Sequence, residues 1–215
     1  MSDVVLSVEG LQARKAVRPI SFELEMGHKL LLHAPPGMGK SILMHSLAGI
    51  HRPRQGTVLF KGQDIHVLPP AELDVLRLSL GYLPGQGQLM SNLGLYENLV
   101  LPLRYHADLS DHMIRRQAME ILQLVGLDAV PGDLADRREK RLVALARTMI
   151  LKPDLLLLDE PAEGMDPEHA NEVWERIDTI CNKLSISMIV AVKSIPEAGL
   201  FNAPEVVLHA QEPVS

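Results

Sequence analysis

The sequence predicts an α/β fold in which a largely helical block is inserted into a core of strands and helices. Three observations carry this. Leu155 to Leu158 is a continuous apolar run of the kind a parallel strand buried on both faces requires. Three stretches between residues 95 and 150 repeat their apolar positions with helical spacing. Beyond residue 155, strand-like and helix-like segments alternate, as in β-α-β-α-β units.

The elements follow in order. Val4 to Val8 and Ile20 to Leu24 read as short strands, and Lys29 to His33 (KLLLH) as an apolar strand ended by Ala-Pro-Pro-Gly. A helix is expected from Lys40 to about Leu47, then a strand over Thr57 to Phe60. Leu95 to Tyr105 is helical. So is Asp111 to Leu124, where Met113, Ala118, Ile121 and Leu122 share a face and Ser110 is placed to cap. Arg138 to Ile150 continues the block, with Leu142, Leu145, Ala146 and Met149 on one side. Asp166-Pro167-Glu168 begins a helix with a cap, a proline and an acid in the first turn. That helix runs to about Leu184. Ser187 to Val192 is a second buried strand, Ser194 caps a short helix, and Val206 to His209 is a last strand. Without repeats or a linker, residues 1–215 read as one unit, with residues 84–150 as its helical part.

Composition narrows the function. Hydrophobic residues make up 47% and charged residues 22%, too apolar for a disordered chain. The net charge of −6 argues against nucleic acid as a partner, since affinity for a phosphate backbone comes from Lys and Arg. A single cysteine, Cys181, excludes an intrachain disulfide and fits a reducing compartment. MSDVVLSVEG has no basic region followed by an apolar stretch, and no apolar run is long enough to span a bilayer. These point to a cytoplasmic protein that reaches a membrane, peripherally, only through a partner. Among the histidines, His33, His51, His66, His106, His112 and His169 form no spaced metal-binding pattern. Aromatics are scarce, with one Trp, three Tyr and three Phe.

Two motifs carry chemistry. Ala34-Pro35-Pro36-Gly37-Met38-Gly39-Lys40-Ser41 follows a strand and opens a helix, and it matches the phosphate-binding loop G-x-x-x-x-G-K-[ST] except at its first position. The glycines let backbone amides curl around phosphate oxygens, Lys40 reaches the β and γ phosphates, and Ser41 ligates Mg²⁺. In LLLLDEP, a buried strand delivers Asp159 to the surroundings of Mg²⁺ and Glu160 to the attacking water as catalytic base.

With these residues the chain resembles the nucleotide-binding subunits of ABC transporters. LVALARTMILKPDLLLLDEP, the loop Ala162-Glu-Gly-Met-Asp166 and the strand SMIVAV carry the resemblance over almost the whole length. Glu97-Asn98-Leu-Val-Leu-Pro102-Leu-Arg-Tyr-His106 looks most like Mla-type lipid-trafficking subunits. The resemblance implies a P-loop NTPase core with an N-terminal antiparallel β-subdomain and an inserted helical subdomain. It implies ATP and Mg²⁺ as cofactors and a membrane permease subunit as partner. It also implies a second ATP-binding subunit, in a homodimer or a heterodimer, whose LSGGQ signature closes the site.

Four departures stand against that pattern. Ala135-Asp136-Arg137-Arg138-Glu139 occupies the signature position, and its arginines read either as a solvated helix start or as a finger on a γ-phosphate. The Q-loop position holds Gly85, with Gln86 one residue away as the candidate to reach Mg²⁺. Lys193 replaces the switch histidine, and lysine neutralises phosphate charge without shuttling a proton near neutral pH. Gly10 to Arg18 lacks an aromatic to stack on adenine, so the nucleotide is expected to be held mainly by its phosphates, with little choice between ATP and GTP. Two functions remain: an ATP-hydrolysing subunit of reduced or complex-dependent turnover, and a non-catalytic nucleotide-binding scaffold. Phospholipid is the expected cargo.

Overall fold

The computed structural model describes residues 3–15, 17–33, 35, 37–85, 89–132, 135–193 and 203–210. Its strands are β1 (Val4–Gln12), β2 (Ile20–Glu25), β3 (Lys29–His33), β4 (Gln55–Phe60), β5 (Gln63–Asp64), β6 (Leu80–Leu83), β7 (Leu155–Asp159), β8 (Ser187–Val192) and β9 (Glu205–Val207). Its helices are α1 (Lys40–Leu47), α2 (Pro70–Arg77), α3 (Leu95–His106), α4 (Asp111–Leu124), α5 (Arg137–Met149) and α6 (Pro167–Leu184). They build two sheets, an antiparallel one ordered β2-β1-β4-β5 and a parallel one ordered β6-β7-β8-β3-β9.

β7 and β8 are buried at every residue. Because side chains alternate along a strand, β7 feeds two cores. Leu156 and Leu158 join Leu31, Leu83 and Val190 under α3, α4, α5 and α6. Leu155 and Leu157 join Leu30, Leu32 and Ile189 against α1 and the antiparallel sheet. Leu→Ala at such sites costs about 2–5 kcal/mol. Cys181 lies in the first core with its sulfur 3.8 Å from that of Met188, and burial pushes its thiol up to about 12.

The helix signals read from the sequence are present. Ser110 accepts a hydrogen bond from the Met113 amide, and Asp166 from that of His169. The final strand is Glu205–Val207, where Val206 to His209 is expected, and it is an edge strand paired with β3. The helix expected at Ser194 lies outside the described residues. Three elements have no counterpart in the sequence reading: β5, α2 and β6. α2 buries no residue fully, and its only contact with the core is the half-buried pair Leu73 and Leu76, too short a stripe to announce a helix among the described residues. β6 is short and contains Gly81, where a Cβ would lie 2.5 Å from the Thr148 carbonyl oxygen of α5. Glycine is there so that helix and strand can approach.

Register places the site. His33 pairs with Val192, Asp159 with Ala191, and Leu83 with Leu158. The carboxyl ends of β3, β6, β7 and β8 therefore lie along one edge of the sheet, where open α/β sheets bind ligands.

Candidate functional site

β3 leads into the glycine loop. Gly37 and Gly39 both hold φ of 82°, and Gly39 is the N-cap of α1. L side chains adopt such angles at a cost, so these two glycines allow the chain to wrap tightly above the helix N-terminus. The Met38 amide donates to the Pro35 carbonyl, and Met38 packs on the core beneath. Pro36 and Gln86 lie outside the described residues.

Lys40 is buried. Its ammonium donates to the Val192 carbonyl at 2.8 Å and pairs with the Glu160 carboxylate at 2.8 Å. Lys193, at the end of β8, reaches the other Glu160 oxygen at 2.9 Å and Glu163 at 2.5 Å. Burial pushes the Glu160 carboxyl up, but hydrogen bonds and charge from these two lysines outweigh it and hold the group below the usual carboxylate range. The same bonds, first from Glu163 and then from Glu160, push the Lys193 ammonium up. Glu160 itself has a left-handed backbone, φ 49°, uncommon for a residue with a Cβ.

Asp159 is 3% exposed, and burial raises its carboxyl above the usual range against a hydrogen bond from the Ser41 hydroxyl. Its Oδ1 is buried and makes no hydrogen bond. An orphaned carboxylate oxygen beside a serine hydroxyl at a phosphate loop is the donor set a hard cation takes, so the site fits Mg²⁺. Tyr82 on β6 has a second orphaned buried oxygen, and burial with the nearby Asp159 charge pushes its phenol up.

Arg141 was not singled out from the sequence, yet it holds the site together. Its guanidinium, on α5, donates to the carbonyls of Pro161 at 2.6 Å, Glu160 at 2.8 Å, Pro84 at 2.9 Å and Asp159 at 3.4 Å. The signal was there: Arg141 shares a helix face with Ala144 and Leu145, a cation on a buried stripe. Arg14 is a second such residue. From the bend after β1 its guanidinium donates to the Gly37 carbonyl at 3.3 Å.

At the signature position Arg137 is exposed and Arg138 is paired. Asp136 caps α5 in a full capping box, accepting from the Glu139 amide at 2.7 Å while Glu139 accepts from the Asp136 amide at 2.9 Å. Arg138 is not solvated as a free helix start would be. It forms a two-bonded pair with Glu172 of α6, at 3.0 and 2.5 Å, which Arg176 shares. These two cations hold the Glu172 carboxyl down to about 2. Arg137 packs against Gly164. A carboxylate thus sits on the α5 amides where an anion would otherwise be received.

No histidine, cysteine or carboxylate cluster suited to a metal occurs among the described residues, and no helix there is long and apolar enough to cross a membrane. The chain is 30% identical over 234 residues to a probable ribonucleotide transport ATP-binding protein, mkl, of Mycobacterium leprae, covering 98% of this chain and 67% of that protein. It is 31% identical to the mkl protein of Mycobacterium tuberculosis, spanning 59% of its length. The intermembrane phospholipid transport system ATP-binding protein MlaF of Haemophilus influenzae is 30% identical over 205 residues, covering 92% of this chain and 77% of that protein. Among solved structures, cbiO1 of Clostridium perfringens, part of the ABC transporter complex cbiONQ, superposes with a TM-score of 0.84 at 25% identity, covering 96% of this chain and 85% of that one. A dimeric ATP-binding cassette solved in a post-hydrolysis state with ADP and Pi superposes with a TM-score of 0.83 at 20% identity, covering 94% of each chain. With the ABC transporter family model matching residues 17–163, around a glycine loop, the adjoining Asp159 and Glu160 and the sheet that joins them, the chain belongs to the ABC transporter family.

Proposed function

We propose that this chain is the ATP-binding subunit of an ABC transporter, binding MgATP on the loop from Pro35 to Ser41, hydrolysing it slowly, and driving a membrane permease that carries phospholipid. The observation that carries the proposal is the convergence of Lys40, Ser41, Asp159 and Glu160 at one sheet edge, with the Asp159 oxygen left without a partner. The MlaF relatives support the cargo. A groove of about 590 Å³ between edge strand β6 and α3, lined by Met90, Leu101, Pro102 and Arg147, supports the permease contact.

In this mechanism Lys40 leaves Glu160 for the β and γ phosphates. Its departure removes one of the two cations that depress the Glu160 carboxyl, so nucleotide binding itself makes Glu160 a stronger base. Glu160 then orients the attacking water and takes its proton as the water oxygen bonds to the γ-phosphorus and the bond from that phosphorus to the β-phosphate oxygen breaks, giving ADP and inorganic phosphate. Ser41 and Asp159 would hold Mg²⁺, which when bound neutralises charge on the β and γ oxygens. Lys193 stays beside the γ position as a fixed positive charge. Purified with its permease, wild type is expected to release phosphate, and Glu160→Gln to release it about 10²- to 10⁴-fold more slowly.

A second reading is a non-catalytic scaffold governed by nucleotide binding alone. It is favoured by the capping box that closes the α5 amides and by Lys193 at the switch position. Equal background phosphate release by wild type and Glu160→Gln, with ATP bound by both, would select it.

A further inference from the structure

The bend after β1 carries no ring, but it carries Arg14, whose place on the glycine loop is specific. The guanidinium donates through Nη1 to the Gly37 carbonyl at 3.3 Å, and its Cδ and Nε lie 3.0 and 3.1 Å from where a Cβ on Gly39 would stand. Arg14 therefore lies flat across the two left-handed glycines, at the mouth of α1. A side chain at residue 39 would crowd this arginine and require it to shift by a few tenths of an ångström.

An arginine has five N–H donors in a rigid fork, and among the described residues one is used, on a loop carbonyl. The remainder lie above a loop whose own amides, with Lys40, are arranged for phosphate. We infer that Arg14 is a nucleotide-binding residue that clamps the phosphate chain from the side opposite Lys40, in place of a platform for the base. This rests on the phosphate-loop reading above and extends it to a residue outside the motif. A charge-assisted contact to phosphate gives affinity without base recognition. It also accounts for an ATP site that has no ring to stack on the base in this bend.

The test is displacement of a fluorescent ATP analogue from the full chain by ATP, GTP and inorganic tripolyphosphate, in wild type, Arg14→Ala and Lys40→Ala. Arg14 is exposed and belongs to neither core, so its replacement is expected to leave the fold intact, as an unchanged thermal transition would verify. Arg14→Ala is expected to weaken all three competitors by a common factor, about tenfold or more. An unchanged affinity for ATP overturns the assignment. So does weakened binding of ATP and GTP with tripolyphosphate unaffected, which would place Arg14 on the base or ribose. If wild type and Lys40→Ala alike bind none of the three, the phosphate-loop reading fails and the clamp fails with it.

Discussion

Replacing Arg141 by Met keeps most of the aliphatic stem and removes the guanidinium, leaving the carbonyls of Pro84, Asp159, Glu160 and Pro161 without their donor. Three of the four bonds are 2.9 Å or shorter; the 3.4 Å bond to Asp159 counts for little. The Glu160 carbonyl keeps the Glu163 amide at 3.0 Å, so the carbonyls of Pro84 and Pro161 are the ones left unpaired, at about 1–3 kcal/mol each. A cavity of about 580 Å³ beside Arg141, lined also by Gly85 and Lys140, lets water reach part of the set and pulls the total toward about 2–4 kcal/mol. For a chain of this size, 1 kcal/mol moves Tm by about 2–4 °C, so Arg141→Met should lower it by roughly 4–16 °C. Circular dichroism melting is the assay. Arg141→Lys should fall nearly as far, because one ammonium cannot reach carbonyls contributed by two separate loops. A Tm within about 2 °C of wild type for Arg141→Met would refute the reasoning, since it would mean that the two loops hold their positions unaided.

Asp136→Ala removes one half of the α5 capping box and should cost about 1 kcal/mol, or about 2–4 °C in Tm; no loss would mean that Glu139 or water caps the helix alone. Glu172 gives a pH signature. Its carboxyl is depressed from 4.5 to about 2 in the folded chain, so the stabilisation it contributes is full above pH 4.5 and is lost as pH falls toward 2. The difference in urea midpoint between wild type and Glu172→Gln should therefore be constant from pH 7 to about pH 5 and shrink below that. A difference independent of pH would show that the pair with Arg138 is not what holds the two helices.

The parallel sheet was legible because burial on both faces leaves an unbroken apolar run, as in Leu155 to Leu158, and the glycine loop because its chemistry restricts residue types at fixed spacing. α2 was not, since its apolar face is only the half-buried pair Leu73 and Leu76 on an eight-residue helix, too short a pattern to detect. β6 was hidden by Gly81, chosen for the approach of α5 and not for strand propensity. At the site, Lys40, Ser41, Asp159 and Glu160 could be named from local pattern. Arg141 left one local trace, a cation on a buried stripe, and Arg14 none, because each acts on backbone groups distant in sequence, 57 residues away for Arg141 and Pro84 and 23 for Arg14 and Gly37. The pairing of Arg138 with Glu172, 34 residues on, is long-range in the same way.

Cys181 and Trp174, each present once, share the core beneath α6. A thiol pushed up to about 12 and shut away from solvent does not react with maleimides at neutral pH. Any surface position changed to cysteine would thus be the one labelled atom in the protein, with no need for a cysteine-free background. Trp174 is 2% exposed and lines the same cavity as Glu160 and Lys193, which puts the one tryptophan within reach of the Glu160 carboxylate. An acceptor dye on an engineered cysteine, excited through that indole, would turn this chain into its own distance gauge as nucleotide comes and goes.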